Sequence, residues 1–118
     1  MSEHDEQAAL MGWAILQTGV WPELRLLFAI PNGGHRHKAV AAKMVAEGVK
    51  RGVPDVCLPV PRGDHHGLYI EMKYGRNGTS PDQDAWLEAL AGQGYKTAVC
   101  YSFEAAQRVI TEYLGEQS

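Results

Sequence analysis

The sequence has few cysteines, no long apolar run and no excess of basic residues, and each shortage argues against a class of protein. Its two cysteines, Cys57 and Cys100, lie in apolar segments, where a buried free thiol is the usual state, so a disulfide-stabilised scaffold is not indicated. No apolar stretch reaches the roughly 20 residues that cross a bilayer, and the acidic start lacks the basic and apolar regions of an export signal. We therefore expect a cytoplasmic protein with no membrane partner.

The net charge of −3 by itself gives no support for a nucleic-acid partner, because Lys and Arg supply most of the affinity for phosphates. The charge is, however, unevenly distributed. Residues 36–76 contain eight basic and four acidic residues, a local charge of +4, whereas the remainder contains three basic and ten acidic residues, a charge of −7. The basic segment either forms one anion-binding face or is ordinary solvated surface.

The length and hydrophobic pattern predict one α/β domain over residues 1–118. Apolar periodicity, turn residues and helix caps predict eight elements in the order αβαββαβα. The helices are predicted over residues 3–18, 38–47, 81–90 and 103–114, and the strands over 24–30, 53–60, 68–72 and 95–101. A mixed four-stranded sheet flanked by helices is the simplest fold for this order.

The two middle strands are predicted to form a hairpin whose turn centres near Gly63. Opposed residues of an antiparallel pair have numbers with a constant sum, so Asp55 faces Glu71 with about 5 Å between their Cβ atoms. Strand alternation places Lys73 on the same face. Two adjacent acids repel each other unless a divalent cation lies between them, so the pattern predicts a metal site. The alternative is an exposed ion-pair ladder in which Asp55 is only a turn residue.

The hairpin motif also supports a family resemblance. The pair Pro54-Asp55, followed after the turn by Glu71-Met72-Lys73, resembles the core motif of the PD-(D/E)-X-K nucleases. Over nearly its whole length the chain is similar to the stand-alone VRR-NUC domains, the virus-type replication-repair nucleases. This resemblance implies a restriction-endonuclease-like core that hydrolyses phosphodiester bonds of DNA. The further shared features are an acidic first helix, Pro31-Asn32-Gly33-Gly34, Ser80-Pro81-Asp82-Gln83 at a helix start, and Gly94-Tyr95 before the last strand.

The resemblance implies roles for the residues of the hairpin. Asp55, Glu71 and the backbone carbonyl of Met72 would ligate Mg²⁺ or Mn²⁺. Lys73 would orient the attacking water or help to deprotonate it. This division suits the chemistry, because a metal ion activates water and a nearby ammonium adds positive charge where the transition state becomes negative.

Two helix residues are matched to the family in the same way. We match the glutamate of the first helix to Glu6 rather than Glu3, because Glu6 lies further into the helix, although either acid suits a helix N-terminus. The family's helix glutamine is matched by Gln83, which would contact substrate or water near the site. An ordinary surface glutamine is the alternative.

Four basic residues are expected to contact DNA, unless they simply face solvent. Three follow or adjoin the glycine-rich loop and one follows the motif lysine: His35, Arg36, Lys38 and Arg76. His65 and His66 have no further zinc ligands at suitable spacing, so we interpret them as surface residues at the hairpin tip.

We therefore expect a Mg²⁺-dependent endonuclease that selects branched, Holliday junction-like DNA or duplex DNA in phage or bacterial replication and repair. A homodimer is expected, because a 118-residue nuclease has little surface for DNA and a twofold pair of sites suits a two-stranded or four-way substrate. A non-catalytic DNA-binding module with the same fold is the alternative, but paired acids beside phosphate would not help such a module. A restriction-type enzyme that reads sequence would need an insertion that is not visible.

Overall fold

Four helices and four strands follow one another in the predicted order, and the computed structural model describes residues 2–31 and 37–117. This confirms the α/β fold, with a mixed four-stranded sheet flanked by helices. The helices α1 to α4 span Glu3–Leu16, Lys38–Ala46, Pro81–Gly92 and Phe103–Leu114, and the strands β1 to β4 span Phe28–Ala29, Val56–Leu58, Leu68–Met72 and Lys96–Cys100.

The strand predicted over residues 24–30 is wrong over most of its length. A 3₁₀ helix (Pro22–Leu26) takes its place, and only Phe28–Ala29 forms a strand. Proline favours the first turn of a helix, since its φ is already helical and it has no N–H to donate. Leu24 and Leu27 are buried at three-residue spacing, which is the period of a 3₁₀ turn and not of a strand.

The strand predicted over residues 53–60 is shorter in the structure, where it spans Val56–Leu58. Prolines flank this segment at positions 54 and 59, and proline cannot donate a hydrogen bond to a sheet. Its pairing agrees with the prediction: Val56 pairs with Ile70 and Leu58 with Leu68, so the hairpin is symmetric about Gly63. Extending this register by one residue places Asp55 opposite Glu71.

The sheet has the strand order β1-β2-β3-β4, in which β3 and β4 are parallel and the other neighbours are antiparallel. Leu68, Ile70 and Met72 of β3 belong to the main core with residues of α1 and α4. Alternate residues of a strand point to opposite faces. Glu71 therefore points to the other face, where Gln83 of α3 reaches it.

The hairpin tip is fixed to the C-terminal end of α4. The Tyr113 hydroxyl donates to the Val60 carbonyl at 2.6 Å, and the Gly63 N–H donates to the Gln117 carbonyl at 2.7 Å. Arg62 adds a hydrogen bond to the Leu114 carbonyl and an ion pair with Glu23. These contacts hold the hairpin at the end opposite Asp55 and Glu71.

The cysteines, helix α2 and the apolar character of the helices are the remaining features of the described residues. Cys57 and Cys100 are buried free thiols, as expected. Helix α2 has no buried residue. No helix in residues 2–31 and 37–117 combines the length and the apolar character that crossing a membrane requires.

Candidate metal centre

Asp55 and Glu71 come together at the edge of the sheet where β2 begins and β3 ends. The Met72 N–H donates to Asp55 Oδ2 at 2.6 Å. On the opposite side, the Ile30 N–H donates to the backbone carbonyl of Asp55 at 2.8 Å. Asp55 is therefore positioned by both neighbouring strands, although it lies one residue outside the regular part of β2.

Glu71 is the most deeply buried acid of the described residues, with 2% of its surface exposed. Its Oε2 accepts a hydrogen bond from Gln83 Nε2 at 3.2 Å and lies 3.9 Å from Lys73 Nζ. Its Oε1 is buried and has no hydrogen-bond partner. Burial, followed by the negative charge of Asp55, raises the pKa of Glu71 to about 8, against the lowering effect of Lys73.

The unpartnered oxygen of Glu71 fits a cation. Buried polar atoms nearly always have a partner, and a divalent ion would supply one while removing the repulsion between the two acids. The N–H and the C=O of one strand residue point to the same side of the strand. Because the Met72 N–H donates to Asp55, the Met72 carbonyl also points toward Asp55. These oxygen donors suit Mg²⁺ or Mn²⁺, which keep several water ligands.

No three His, Cys, Asp or Glu side chains converge as metal ligands within the part of the chain that the structure describes. Asp55 and Glu71 would be the two side-chain ligands of a cation here, and the other ligands would come from backbone, water and substrate. A catalytic metal site keeps a position for water or substrate, unlike a closed structural metal site.

Lys73 lies directly after β3 and is buried, with 7% of its surface exposed. Its N–H donates to the Cys100 carbonyl at 2.8 Å, which continues the parallel pairing of β3 with β4 beyond Met72. The predicted convergence of Asp55, Glu71 and Lys73 is thus present in the structure.

Gln83 is oriented by the N-terminus of α3. Its side chain accepts from the Ser80 N–H at 2.9 Å, and its own N–H donates to Ser80 Oγ at 3.2 Å, which together form a capping box. This arrangement leaves Nε2 to donate to Glu71. The start of α3 is pressed against Gly52, where a Cβ would lie 2.8 Å from Asp82 and where φ is +89°.

The first-helix acids are placed differently from expectation. Glu6 is buried, with 6% of its surface exposed, and its Oε1 accepts from the Phe103 N–H at 2.9 Å. It therefore caps the N-terminus of α4, where the helix dipole favours a negative charge. Glu3 instead lines a cavity of about 420 Å³ together with Asp55, and its charge contributes to the raised pKa of Glu71.

Glu3 thus shares a cavity with Asp55, whereas the contact of the Glu6 carboxylate is with α4. A signal for this exists in the sequence, because Glu6, Leu10 and Ala14 are spaced by four residues and form the buried stripe of α1. A residue on that stripe faces the core rather than a solvent-accessible site.

The expected DNA contacts are only partly described. His35 and Arg36 lie outside the described residues, as does the Asn32-Gly33-Gly34 loop. Lys38 is exposed at the start of α2, and Arg76 is exposed in the loop that follows Lys73. The two described residues are therefore accessible to a phosphate backbone.

Comparisons with known proteins agree with this architecture. The family model of the VRR-NUC domain matches residues 3–104. A solved structure described as a VRR_NUC domain protein has a TM-score of 0.78 and 28% sequence identity, covering 100% of this chain and 93% of that chain. No curated protein matches the sequence. The mixed four-stranded sheet with flanking helices is thus a fold shared with a VRR_NUC domain protein.

Proposed function

The chain belongs to the VRR-NUC domain family, and we propose that it is a divalent-metal-dependent nuclease that hydrolyses phosphodiester bonds of DNA. The family suggests a nuclease-type fold. The observation that carries the proposal is the carboxylate of Glu71, which is buried beside Asp55 with one oxygen unpartnered. A fold has no structural use for such an oxygen, whereas a cation at this position would compensate it.

Asp55, Glu71 and the carbonyl of Met72 would hold Mg²⁺ or Mn²⁺. The bound cation would lower the pKa of a water molecule and neutralise charge on the scissile phosphate. Gln83 donates to Oε2 of Glu71, and Oε1 is left without a hydrogen-bond partner. The Met72 N–H holds Asp55 by Oδ2 in the same manner.

Lys73 would act on the phosphate and on the attacking water. Its ammonium lies 3.9 Å from Glu71 Oε2, and a buried positive charge at this position would stabilise the negative charge that develops in the transition state. Glu3, which shares a cavity with Asp55, would accept a hydrogen bond from water at the same edge. A non-catalytic DNA-binding module would not need a buried lysine beside two acids.

We further propose that the substrate is branched DNA and that the protein acts as a homodimer in the cytoplasm of a bacterial or phage-infected cell. Two copies would present two sites, as a four-way or two-stranded substrate requires. The exposed Lys38 and Arg76 would bind the phosphate backbone.

The test is a cleavage assay on single-stranded, duplex, flap and four-way DNA with Mg²⁺ or Mn²⁺. Asp55→Asn, Glu71→Gln and Lys73→Ala should each reduce turnover on the order of a hundredfold or more, the usual cost of losing one electrostatic contributor. Asp64→Asn is the matched control, because Asp64 is an exposed acid at the opposite end of the hairpin. Wild-type turnover in a folded Asp55→Asn or Lys73→Ala protein would contradict the proposal.

A further inference from the structure

We propose that a cavity next to the metal centre binds an unpaired nucleobase of the DNA substrate, an inference that rests on the proposed function. The cavity has a volume of about 410 Å³, within the range of roughly 300–1,000 Å³ typical of small-molecule sites. It lies between the C-terminal end of α2, the segment before β2 and helix α3. Its walls include Ile30, Pro31, Val49, Lys50, Val53 and Trp86.

Three wall residues connect the cavity to the acid pair. Ile30 donates its N–H to the Asp55 carbonyl at 2.8 Å, and Val53 precedes Asp55 by two residues. Trp86 follows Gln83 by three residues on α3, so the two side chains lie on the same side of the helix. Because Gln83 donates to Glu71, a nucleotide with its base in the cavity would have its phosphate near the metal centre.

The chemistry of the walls suits a nucleobase. Trp86 offers an indole for stacking, which every base accepts because each has a π-face, and the other walls are mainly apolar. Lys50 lines the cavity and is exposed, and its neighbour in sequence, Arg51, is also exposed, so both can neutralise the flanking phosphates. The acid at the rim, Glu47, can accept a hydrogen bond from the amino groups of adenine, cytosine or guanine.

A base in a continuous duplex cannot reach such a cavity, because it remains stacked and paired inside the helix. The base must therefore come from a single strand, a branch point or a flipped-out position. The cavity thus narrows the substrate class of the proposed nuclease to DNA that exposes unpaired nucleotides beside the scissile phosphate.

The experiment compares two single strands of about 12 nucleotides with equal numbers of phosphates, one of mixed sequence and one in which every base is removed. Binding is measured by fluorescence anisotropy in EDTA, so that no hydrolysis occurs. The wild type should bind the base-bearing strand about tenfold more tightly, the size of one base–aromatic stacking contact. Trp86→Ala should reduce this ratio toward one, and Trp86→Phe should keep most of it.

A second variant guards against a folding defect in Trp86→Ala. Val49→Phe narrows the cavity and leaves the indole in place, so it should reduce the ratio in the same way. Tyr101→Ala is the matched aromatic control, because Tyr101 is exposed next to the strand pairing that ends at Lys73. A wild-type ratio of one, or a ratio that falls in Tyr101→Ala but not in Trp86→Ala and Val49→Phe, would overturn the proposal.

Failure of the base cavity and failure of the nuclease can be told apart. Mn²⁺ binding is titrated separately, without DNA, in the wild type and in Asp55→Asn. Normal Mn²⁺ binding with an unchanged affinity ratio in the cavity variants refutes the cavity alone. Absent Mn²⁺ binding with a ratio that depends on Trp86 refutes the metal site while the cavity is retained.

Discussion

The pKa of Glu71, raised to about 8, predicts that cation binding depends strongly on pH. A proton on Glu71 removes the repulsion between Glu71 and Asp55, as a cation between the two carboxylates would. The metal must displace this proton, because a carboxyl group ligates in its ionised form. With a pKa of about 8, Glu71 is about 1% ionised at pH 6 and about half ionised at pH 8, so Mn²⁺ affinity should rise about 50-fold between them.

The same pKa shift makes the stability of the metal-free protein depend on pH. The unfolded chain loses this proton near pH 4.5 and the folded chain near pH 8, so the folded state binds the extra proton between these values. The free energy of unfolding should therefore decrease as the pH rises through this window, and saturating Mn²⁺ should restore it. Thermal unfolding at pH 5 and pH 8, with and without Mn²⁺, measures both effects.

The affinity is measured by calorimetric titration at pH 6, 7 and 8, in buffers of different ionisation enthalpy so that released protons are counted. About one proton per Mn²⁺ should be released at pH 6. Lys73→Met should shift the profile to higher pH, because the charge of Lys73 lowers the pKa of Glu71. Constant Mn²⁺ affinity from pH 6 to pH 8, without proton release, would refute the reasoning.

Two further predictions concern the support of the site. Gly52→Ala should destabilise the protein more than Gly48→Ala in urea unfolding. Both glycines have a positive φ, which costs other residues about 1–2 kcal/mol, but only at Gly52 would the added Cβ meet α3. Equal losses in the free energy of unfolding would contradict this close contact. Glu6→Gln should lower the free energy of unfolding by about 1 kcal/mol and leave Mn²⁺ affinity unchanged. Glu3→Gln should lower Mn²⁺ affinity and leave the free energy of unfolding unchanged. A loss of Mn²⁺ affinity in Glu6→Gln alone would show that Glu6, rather than Glu3, supports the site.

The hairpin was predictable because its determinants are local. A glycine near the turn centre and two short apolar strands define one register, and strand alternation then places Glu71 and Lys73 on one face. The element order was predictable for the same reason, since caps such as Ser80 and Ser102 are short-range signals.

The features that sequence did not reveal depend on contacts between distant segments. Glu6 caps α4 because its carboxylate accepts a hydrogen bond from the backbone of Phe103, 97 residues away. The conformation of the leucine-rich segment at residues 24–30 is determined by how its leucines pack into the core, and not by their strand propensity. The base cavity is formed by three segments that are separate in sequence. Local pattern carries no information about such pairings, although the four-residue spacing of Glu6, Leu10 and Ala14 is a local sign of the buried face of α1.

In the candidate metal centre, each acid is hydrogen-bonded to a group that the fold itself holds in place. Asp55 is held by a backbone N–H of β3, and Glu71 by Gln83, whose position is set by the capping box of α3 and by the contact of that helix with Gly52. Supporting partners of this kind would fix the two acids before a cation binds, which would reduce the entropy that binding must overcome. The pKa of Glu71 is raised because this acid is buried and is held beside the negative charge of Asp55. A cation at this position would therefore compete with a proton for Glu71, and the pH would decide which of them occupies the site.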